Sequence, residues 1–159
     1  MKIPEKLQKI LFVCHGNICR SPMAEFVMKD LLAKSGIADV SVESAALRTD
    51  EIGSDIHRGT RSILVKYEIP FSPRAAWQLT AAKASEYDII VGMDGYNMAD
   101  LKRLLSPEDL PKACKMLELT GSVRDVADPW YTGDFEMTYA DVLAGCNVLL
   151  ESIKKSKSI

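Results

Sequence analysis

The sequence predicts an α/β fold, a three-layer α/β/α arrangement around a central, mostly parallel four-stranded sheet. Three observations lead there. Short apolar runs alternate with amphipathic segments along the chain, so strands are separated by helices. Crossovers of that kind imply parallel pairing, right-handed connections and helices on both faces of the sheet. The 159 residues suit one domain, and at 47% apolar and 26% charged they have the composition of an ordinary globular protein with a real core.

Each element follows from its own pattern. Ile10–Cys14 is apolar throughout and reads as a buried strand. Pro22–Lys34 predicts a helix, with Met23, Phe26, Val27, Leu31 and Leu32 at helical spacing and Gly36 placed to end it. Val40–Glu43 alternates and predicts the second strand, and residues 45–58, polar with Gly53, predict a loop. Thr60–Tyr67 predicts a short helix on Ile63, Leu64 and Tyr67. Trp77–Leu79 predicts a short strand followed by Thr80 as a helix cap. "DIIVGM", Asp88–Met93, is a strongly apolar strand. Asn97–Leu105 predicts a helix with Met98, Leu101, Leu104 and Leu105 on one side, and Pro107 and Pro111 mark a loop. Lys115–Leu119 predicts the last strand and Asp128–Gly133 a loop. The final helix is predicted from about Phe135 to Ser152, with Tyr139, Leu143, Cys146, Leu150 and Ile153 near one face.

These elements make residues 1–159 a single domain, with 1–8 and 155–159 expected as flexible ends and Lys154, Lys155 and Lys157 as a frayed, solvated terminus complementing the last helix dipole. The net charge of −2 argues against a nucleic-acid partner. No apolar run is long enough to cross a membrane, and the charged start, Met1-Lys2-Ile3-Pro4-Glu5-Lys6, has no apolar signal region behind it. The expectation is a cytoplasmic protein, a monomer or weak dimer, without nucleic-acid or membrane partners. The cysteines at 14, 19, 114 and 146 lack the spacing of a zinc knuckle or a thioredoxin motif, and a reducing compartment leaves each a free thiol. Cys114 and Cys146 read as packing residues. His57 has no nearby ligand partner and reads as a surface residue, and no metal site is predicted.

The stretch "VCHGNICRSPMAE", residues 13–25, carries the chemistry. Ligands of open parallel sheets sit at the carboxyl ends of strands, and this loop lies at such an end. Gly16 relaxes the turn from strand to helix, and Pro22 suits the first helical position. The N–H groups of His15, Gly16, Asn17, Ile18, Cys19 and Arg20 can then converge on one point at a helix N-terminus, which favours a multiply charged oxyanion. Arg20 adds a planar fork that fits two phosphate oxygens. The same field acts on Cys14. A free thiol titrates near 8.5, and a helix N-terminus or a nearby arginine lowers that by several units, so a thiolate is expected beneath the bound phosphate. Ser21 is placed to hydrogen-bond the sulfur and help it leave in a second step. No Gly-Lys-Ser/Thr follows, which argues against a nucleotide P-loop. The stretch therefore reads as a phosphate-binding loop after the first strand with a nucleophile at its floor. Phosphate transfer from a poor leaving group also needs an acid. Asp128 in "VADPWYTGD" is the candidate, with Trp130 and Tyr131 as apolar walls for an aromatic ring. A plain Asp-Pro turn with two aromatics packed on the core is the alternative, and sequence spacing does not separate the two.

"VCHGNICRSPMAE" resembles the signature of the low-molecular-weight protein tyrosine phosphatases, and "DPWY" resembles their late acid loop. "ESAA" (43–46), "WQLT" (77–80) and "GMDGYN" (92–97) fall where related stretches of that family lie, and the resemblance spans about Lys9 to Ile153. It implies hydrolysis of phosphotyrosine esters, in a protein or a small phosphate ester, through a phosphocysteine intermediate and without a cofactor. By position, Cys14 resembles the nucleophile, Arg20 the phosphate clamp, and Asp128 the acid that protonates the phenolate and then activates water. Asn17, Ser21 and Ser44 resemble the polar network that shapes the loop, and Asp94 matches an acidic residue near it. Cys19 matches a second loop thiol, which in the family implies a reversible disulfide with the nucleophile under oxidant.

Three departures stand out. The loop "LRTDEIG" lacks the aromatic wall many relatives carry there, so that wall is missing or comes from elsewhere, and Asp50, Glu51 and Arg48 would bias peptide charge. Arg74 replaces a histidine and Trp77-Gln78 an Arg-Gln pair, which alters the support beneath the loop. The triplet Ser44-Ala45-Ala46 is a mild change, and His15 reads as a partly exposed loop residue without an assignable partner. Arsenate reductase on the same scaffold would need two relay cysteines near each other, which the separation of Cys114 and Cys146 opposes. An arginine-phosphate phosphatase would favour a smaller polar residue at Ile18. A non-catalytic phosphopeptide-binding module would need neither the cysteine nor the acid.

Overall fold

Both faces of the inner strands are apolar because both faces are covered. The structure, a computed structural model, describes residues 3–159. Strand β1 (Lys9–Cys14) lies between β2 (Ser41–Ala46) and β3 (Ile89–Gly92), and β4 (Ala113–Lys115) forms the far edge. The order β2-β1-β3-β4 is parallel throughout, with Phe12 opposite Ser44 on one side and Val91 on the other. Ile10 and Phe12 face one core, with helices α1 (Arg20–Lys34), α2 (Arg58–Lys66) and α6 (Phe135–Ser156). Leu11 and Val13 face a smaller core with α3 (Ala81–Ala84) and α4 (Gly95–Leu104). The chain passes from β1 outward to β2 and then crosses to β3 on the other side of β1. That reversal opens a crevice at the carboxyl ends of β1 and β3.

Several boundaries differ from the sequence reading, each for a local reason. Helix α1 begins at Arg20 with Cys19 as its N-cap, so Pro22 is the third helical residue and not the first. The N–H at that position also lacks an intrahelical acceptor, so proline costs nothing there. The helix does end at Gly36, at φ +70, where the N–H of Ile37 donates to the Leu32 carbonyl at 3.0 Å and that of Gly36 to Ala33 at 3.1 Å. Strand β2 continues to Ala46 because Ala45 and Ala46 pair with Val13 and Cys14. Trp77–Leu79 contributes a single bridge, Gln78 to Ala46, and Thr80 caps α3 as expected. The predicted strand Lys115–Leu119 is a strand only to Lys115. A 3₁₀ turn follows over Met116–Thr120, ended by Gly121 at φ +86, and its Met116 sulfur packs onto Gly145 of α6. Residues 128–133, expected as a loop, hold a one-turn helix, α5 (Pro129–Thr132). Asp128 is its N-cap and Pro129 its first residue, which are the ingredients of a helix start.

Helix α6 extends one turn past Ser152 to Ser156, and Lys157 pairs with Asp39 at 2.5 Å. Of the two ends expected to be flexible, residues 1 and 2 lie outside the described residues, while Leu7 is buried in the core. Cys114 and Cys146 are buried, Cys146 on the apolar face of α6. Among the described residues, no helix is long and apolar enough to cross a membrane.

Candidate active site

Cys14 is the last residue of β1 and is 3% exposed. From there the chain turns back on itself in six residues to enter α1 at Arg20, which requires Asn17 to take φ +59. Five carbonyls around this turn are pinned. The N–H of Leu47 donates to Cys14 O (3.0 Å), that of Arg48 to His15 O (3.0 Å) and that of His57 to Ile18 O (2.8 Å). Arg74 donates to Asn17 O (2.6 Å), and the Thr60 hydroxyl to Cys19 O (3.0 Å). Among the described residues, none accepts a hydrogen bond from the N–H groups of residues 15–19. Carbonyls tied to the body of the protein and amides left free, at a helix N-terminus, make a nest for an oxyanion.

Beneath the turn runs a directed chain of hydrogen bonds. Arg74 donates to Asn17 Oδ1, which fixes the amide so that Nδ2 donates to Ser21 Oγ (2.8 Å) and Ser44 Oγ (2.9 Å). The Ser44 hydroxyl then donates to Glu25 at 2.6 Å. The Ser21 oxygen already accepts from Asn17, so its own proton points to Cys14 Sγ, 3.0 Å away. The Ser21 N–H also faces that sulfur, at 3.4 Å. Asn17, Ser21 and Ser44 are buried, so the network is held in a low dielectric.

Arg20, 2% exposed, is gripped by the loops after the other strands. Its Nη1 donates to Asp94 Oδ2 (2.7 Å) and to the Val126 carbonyl (2.9 Å), and its Nη2 lies 3.4 Å from Asp128 Oδ2. Asp94 follows β3 and also caps α4, accepting from the Asn97 N–H at 2.8 Å. The N–H of Val126 donates to Met93 O at 2.9 Å, which ties the segment before Asp128 to the end of β3. Burial is the largest influence on Arg20 and disfavours its charge, but negative charge at Cys14, Asp128 and Asp94 outweighs it and holds the guanidinium protonated more firmly than usual. The Asp128 carboxylate, 108 residues from Arg20 in sequence, thus reaches the mouth of the loop, with Oδ1 accepting from the Trp130 N–H at 3.1 Å.

These residues line a cleft of about 760 Å³. Trp130 and Tyr131 stand on its rim and are 57% and 85% exposed, so they are not packed on the core. Tyr96, from the first turn of α4, also lines the cleft and is 85% exposed. It supplies an aromatic side chain that the 47–53 loop lacks. The loop is instead charged: Asp50 accepts from His15 at 2.9 Å, and Arg48 forks onto Asp100 of α4. His15 therefore has a partner, which the sequence did not reveal. Cys19 is buried at the N-cap of α1. Burial first, then the negative charges of Cys14 and Asp128, push its thiol up to about 12. Among the described residues, no group of three or more His, Cys, Asp or Glu side chains is placed to hold a metal ion.

The structure brings Cys14, Arg20, Ser21, Asn17, Ser44, Asp94 and Asp128 into one site. Sequence reasoning gave no role to Glu25, Thr60, Val126 or Tyr96. Their functional atoms are a carboxylate with an ordinary helical setting, a hydroxyl, a backbone carbonyl and a surface ring, none of which is distinctive until the fold places it. His57, read as a surface residue, is half-buried. Its ring stacks on Phe135 and meets the edge of Trp130 because its Nδ1 caps α2.

The family model for low molecular weight phosphotyrosine protein phosphatases matches residues 9–159. The low molecular weight protein-tyrosine-phosphatase YfkJ of Bacillus subtilis is 37% identical over 153 residues, which is 94% of this chain and 98% of that protein. PtpA of Staphylococcus aureus is 37% identical over 151 residues, covering 94% and 96%. Among solved structures, YfkJ from Bacillus subtilis superposes with a TM-score of 0.89 at 37% identity over 96% of this chain and 98% of that one. The phosphatase SP-PTP from Streptococcus pyogenes gives 0.78 at 40% identity, over 91% and 92%. A drosophila arginine phosphatase gives 0.83 at 28% identity, over 91% and 96%.

Proposed function

Because the chain belongs to the low molecular weight phosphotyrosine protein phosphatase family, we propose that it hydrolyses phosphotyrosine esters, in proteins or as small aryl phosphates, through a phosphocysteine intermediate. The observation that carries this reading is the loop of residues 14–20, with carbonyls pinned outward and amides free, closed over a cysteine sulfur and flanked by Arg20. The phosphoryl oxygens lie on the loop amides and the Arg20 fork, donors already aimed before the reaction begins. Cys14 Sγ attacks phosphorus as the bond to the phenolic oxygen breaks. Asp128 gives its proton to that departing oxygen, so tyrosine leaves neutral. In the second step Asp128 takes a proton from water, the water oxygen bonds phosphorus, and the S–P bond breaks. The Ser21 hydroxyl, 3.0 Å from Sγ, stabilises the departing sulfur.

Trp130, Tyr131 and Tyr96 bound a slot that suits an aromatic ring. Ile18, which also lines it, favours an uncharged phenyl ester over a guanidinium phosphate. The test is a pH–rate profile of p-nitrophenyl phosphate hydrolysis. Expected are an acid optimum, loss of turnover in Cys14→Ser, and a fall of about 10²- to 10⁴-fold in Asp128→Asn. Full activity in Cys14→Ser would rule out the phosphocysteine route. Phosphate binding without hydrolysis at any pH would make the chain a phosphopeptide-binding module.

A further inference from the structure

We propose that His57 is a positioning residue that sets the acid loop against the phosphate cradle. The inference rests on the reading of Asp128 as the proton donor. His57 touches both halves of the site. Its backbone N–H donates to the carbonyl of Ile18 in the cradle at 2.8 Å, and three residues later the Thr60 hydroxyl holds Cys19 at 3.0 Å. The start of α2 is therefore fastened to the cradle. The His57 ring reaches the other way. It stacks on Phe135, with ring centroids 5.2 Å apart and planes 12° from parallel, and meets Trp130 edge-on at 5.6 Å and 73°.

Trp130 is two residues from Asp128, and its N–H is the donor that holds Asp128 Oδ1. Among the described residues the carboxylate has one further polar partner, Arg20, at 3.4 Å. The helix carrying Trp130 has only four residues, and the Trp130 side chain is largely exposed. A helix that short has little stability of its own. On its N-terminal side it is located by the bonds of Val126 to Met93 and Arg20 and by the approach of Asp128 to Arg20, and the contact with the His57 ring is what holds the turn that follows Asp128. That ring is rigidly held. Its Nδ1 accepts from the Gly59 N–H at 3.0 Å, and Phe135 lies so close to Gly59 that a Cβ there would fall 2.3 Å from the Phe135 ring. Phe135 itself opens α6, just beyond the acid loop. The imidazole is thus wedged between the two ends of the acid segment, while its own backbone grips the cradle.

Two functions of His57 are separable by substitution. His57→Asn retains a good helix cap and removes the ring. His57→Phe retains a ring and removes the cap. The readout is kcat/KM, which covers the step in which the phenol leaves, across aryl phosphates whose phenols differ in acidity. A misplaced acid matters most for the poorest leaving group. In His57→Asn, kcat/KM should fall about 10-fold for phenyl phosphate and no more than about 3-fold for p-nitrophenyl phosphate, a part of what a positioned acid supplies. His57→Phe should keep the native leaving-group dependence and melt at a lower temperature. Trp130→Ala, which removes the other side of the contact from an exposed position, should steepen the dependence as His57→Asn does. Equal losses for all leaving groups in His57→Asn, no loss, or steepening in His57→Phe would each overturn the inference. Asp128→Asn in the same series separates this from the underlying reading. If it too leaves the dependence unchanged, Asp128 is not the acid and the reading of the site fails. If it alone steepens the dependence, only the role of His57 fails.

Discussion

Arg74 should control both the shape of the cradle and the departure of the sulfur, although it touches neither phosphate nor Cys14. Asn17 sits at φ +59, a conformation that costs a non-glycine residue roughly 1–2 kcal/mol. Arg74 opposes that cost with two bonds to Asn17, on its carbonyl and on Oδ1, and holds Ser54 O at 3.1 Å with its other nitrogen. Hydrogen bonds to a charged donor contribute roughly 1.5–3 kcal/mol each. Burial of the guanidinium, which pulls the Arg74 pKa down, offsets part of that sum. We therefore expect Arg74→Ala to cost about 3 kcal/mol and to lower Tm by roughly 6–12 °C for a domain of this size. Arg74→Lys should recover only part of this, since an ammonium gathers its donors on one nitrogen, whereas the guanidinium reaches Asn17 with one nitrogen and Ser54 with another. The catalytic effect follows from the proton directions. Without Arg74 the Asn17 amide loses the bond that fixes Oδ1, its orientation rests on Ser44 alone, and the Ser21 hydroxyl proton is less firmly directed at Sγ. Turnover of p-nitrophenyl phosphate should fall about 10- to 100-fold, in the range for losing an aimed donor. The fall should be larger in kcat than in kcat/KM, because the sulfur leaves in the second step. Thermal melts and steady-state kinetics on the two variants test this. An Arg74→Ala protein that melts within about 1 °C of native and turns over at the native rate would refute the reasoning, whatever the crowding around Asn17.

Two further outcomes follow from the same geometry. Burial pushes the Cys114 thiol from 9.0 up to about 12, burial together with the charges of Cys14 and Asp128 does the same to Cys19, and Cys146 is displaced further in the same direction. Because these folded-state values are raised, the stability they carry is complete below about pH 9 and is lost as pH climbs toward 12, as the unfolded chain gives up protons first. The loss is about 1.4 kcal/mol per pH unit for each thiol. Urea unfolding at pH 8.5 and 10.5 should show the decline, with a shallower slope in Cys114→Ala, and equal stability at both values would contradict the assigned burial. Tyr96→Ala should raise KM for phosphotyrosine about 2- to 10-fold, the amount an aromatic contact supplies, with kcat and the hydrolysis of glycerol phosphate unchanged. If glycerol phosphate suffers equally, Tyr96 is not a wall of the slot.

What was legible in the chain is what is local. The cradle is a single run of eight residues, and its strand end, its turn residue, its arginine and its helix are all covalent neighbours, so the motif is readable along the chain even though distant residues hold its final shape. The same holds for Gly36 closing α1 and Thr80 capping α3. The alternation of apolar strands with amphipathic helices likewise determined the parallel sheet, and a parallel sheet determined the end at which the site lies. Asp128 shows where this stops. An Asp-Pro start to a one-turn helix is the same local structure whether it faces a core or a cleft, and it is contacts across the fold, the bonds of Val126 to β3 and to Arg20 among them, that carry it to the cradle. The tertiary structure also decided that Lys115–Leu119 divides into strand and 3₁₀ turn, because the close approach of Met116 to Gly145 is a contact across the fold. It decided that Arg74 reaches Asn17, that Tyr96 stands at the mouth, and that His57 lies between Phe135 and Trp130. Each of those assignments depends on the direction of a side chain toward a residue far away in sequence, and local backbone preference carries no information about that direction.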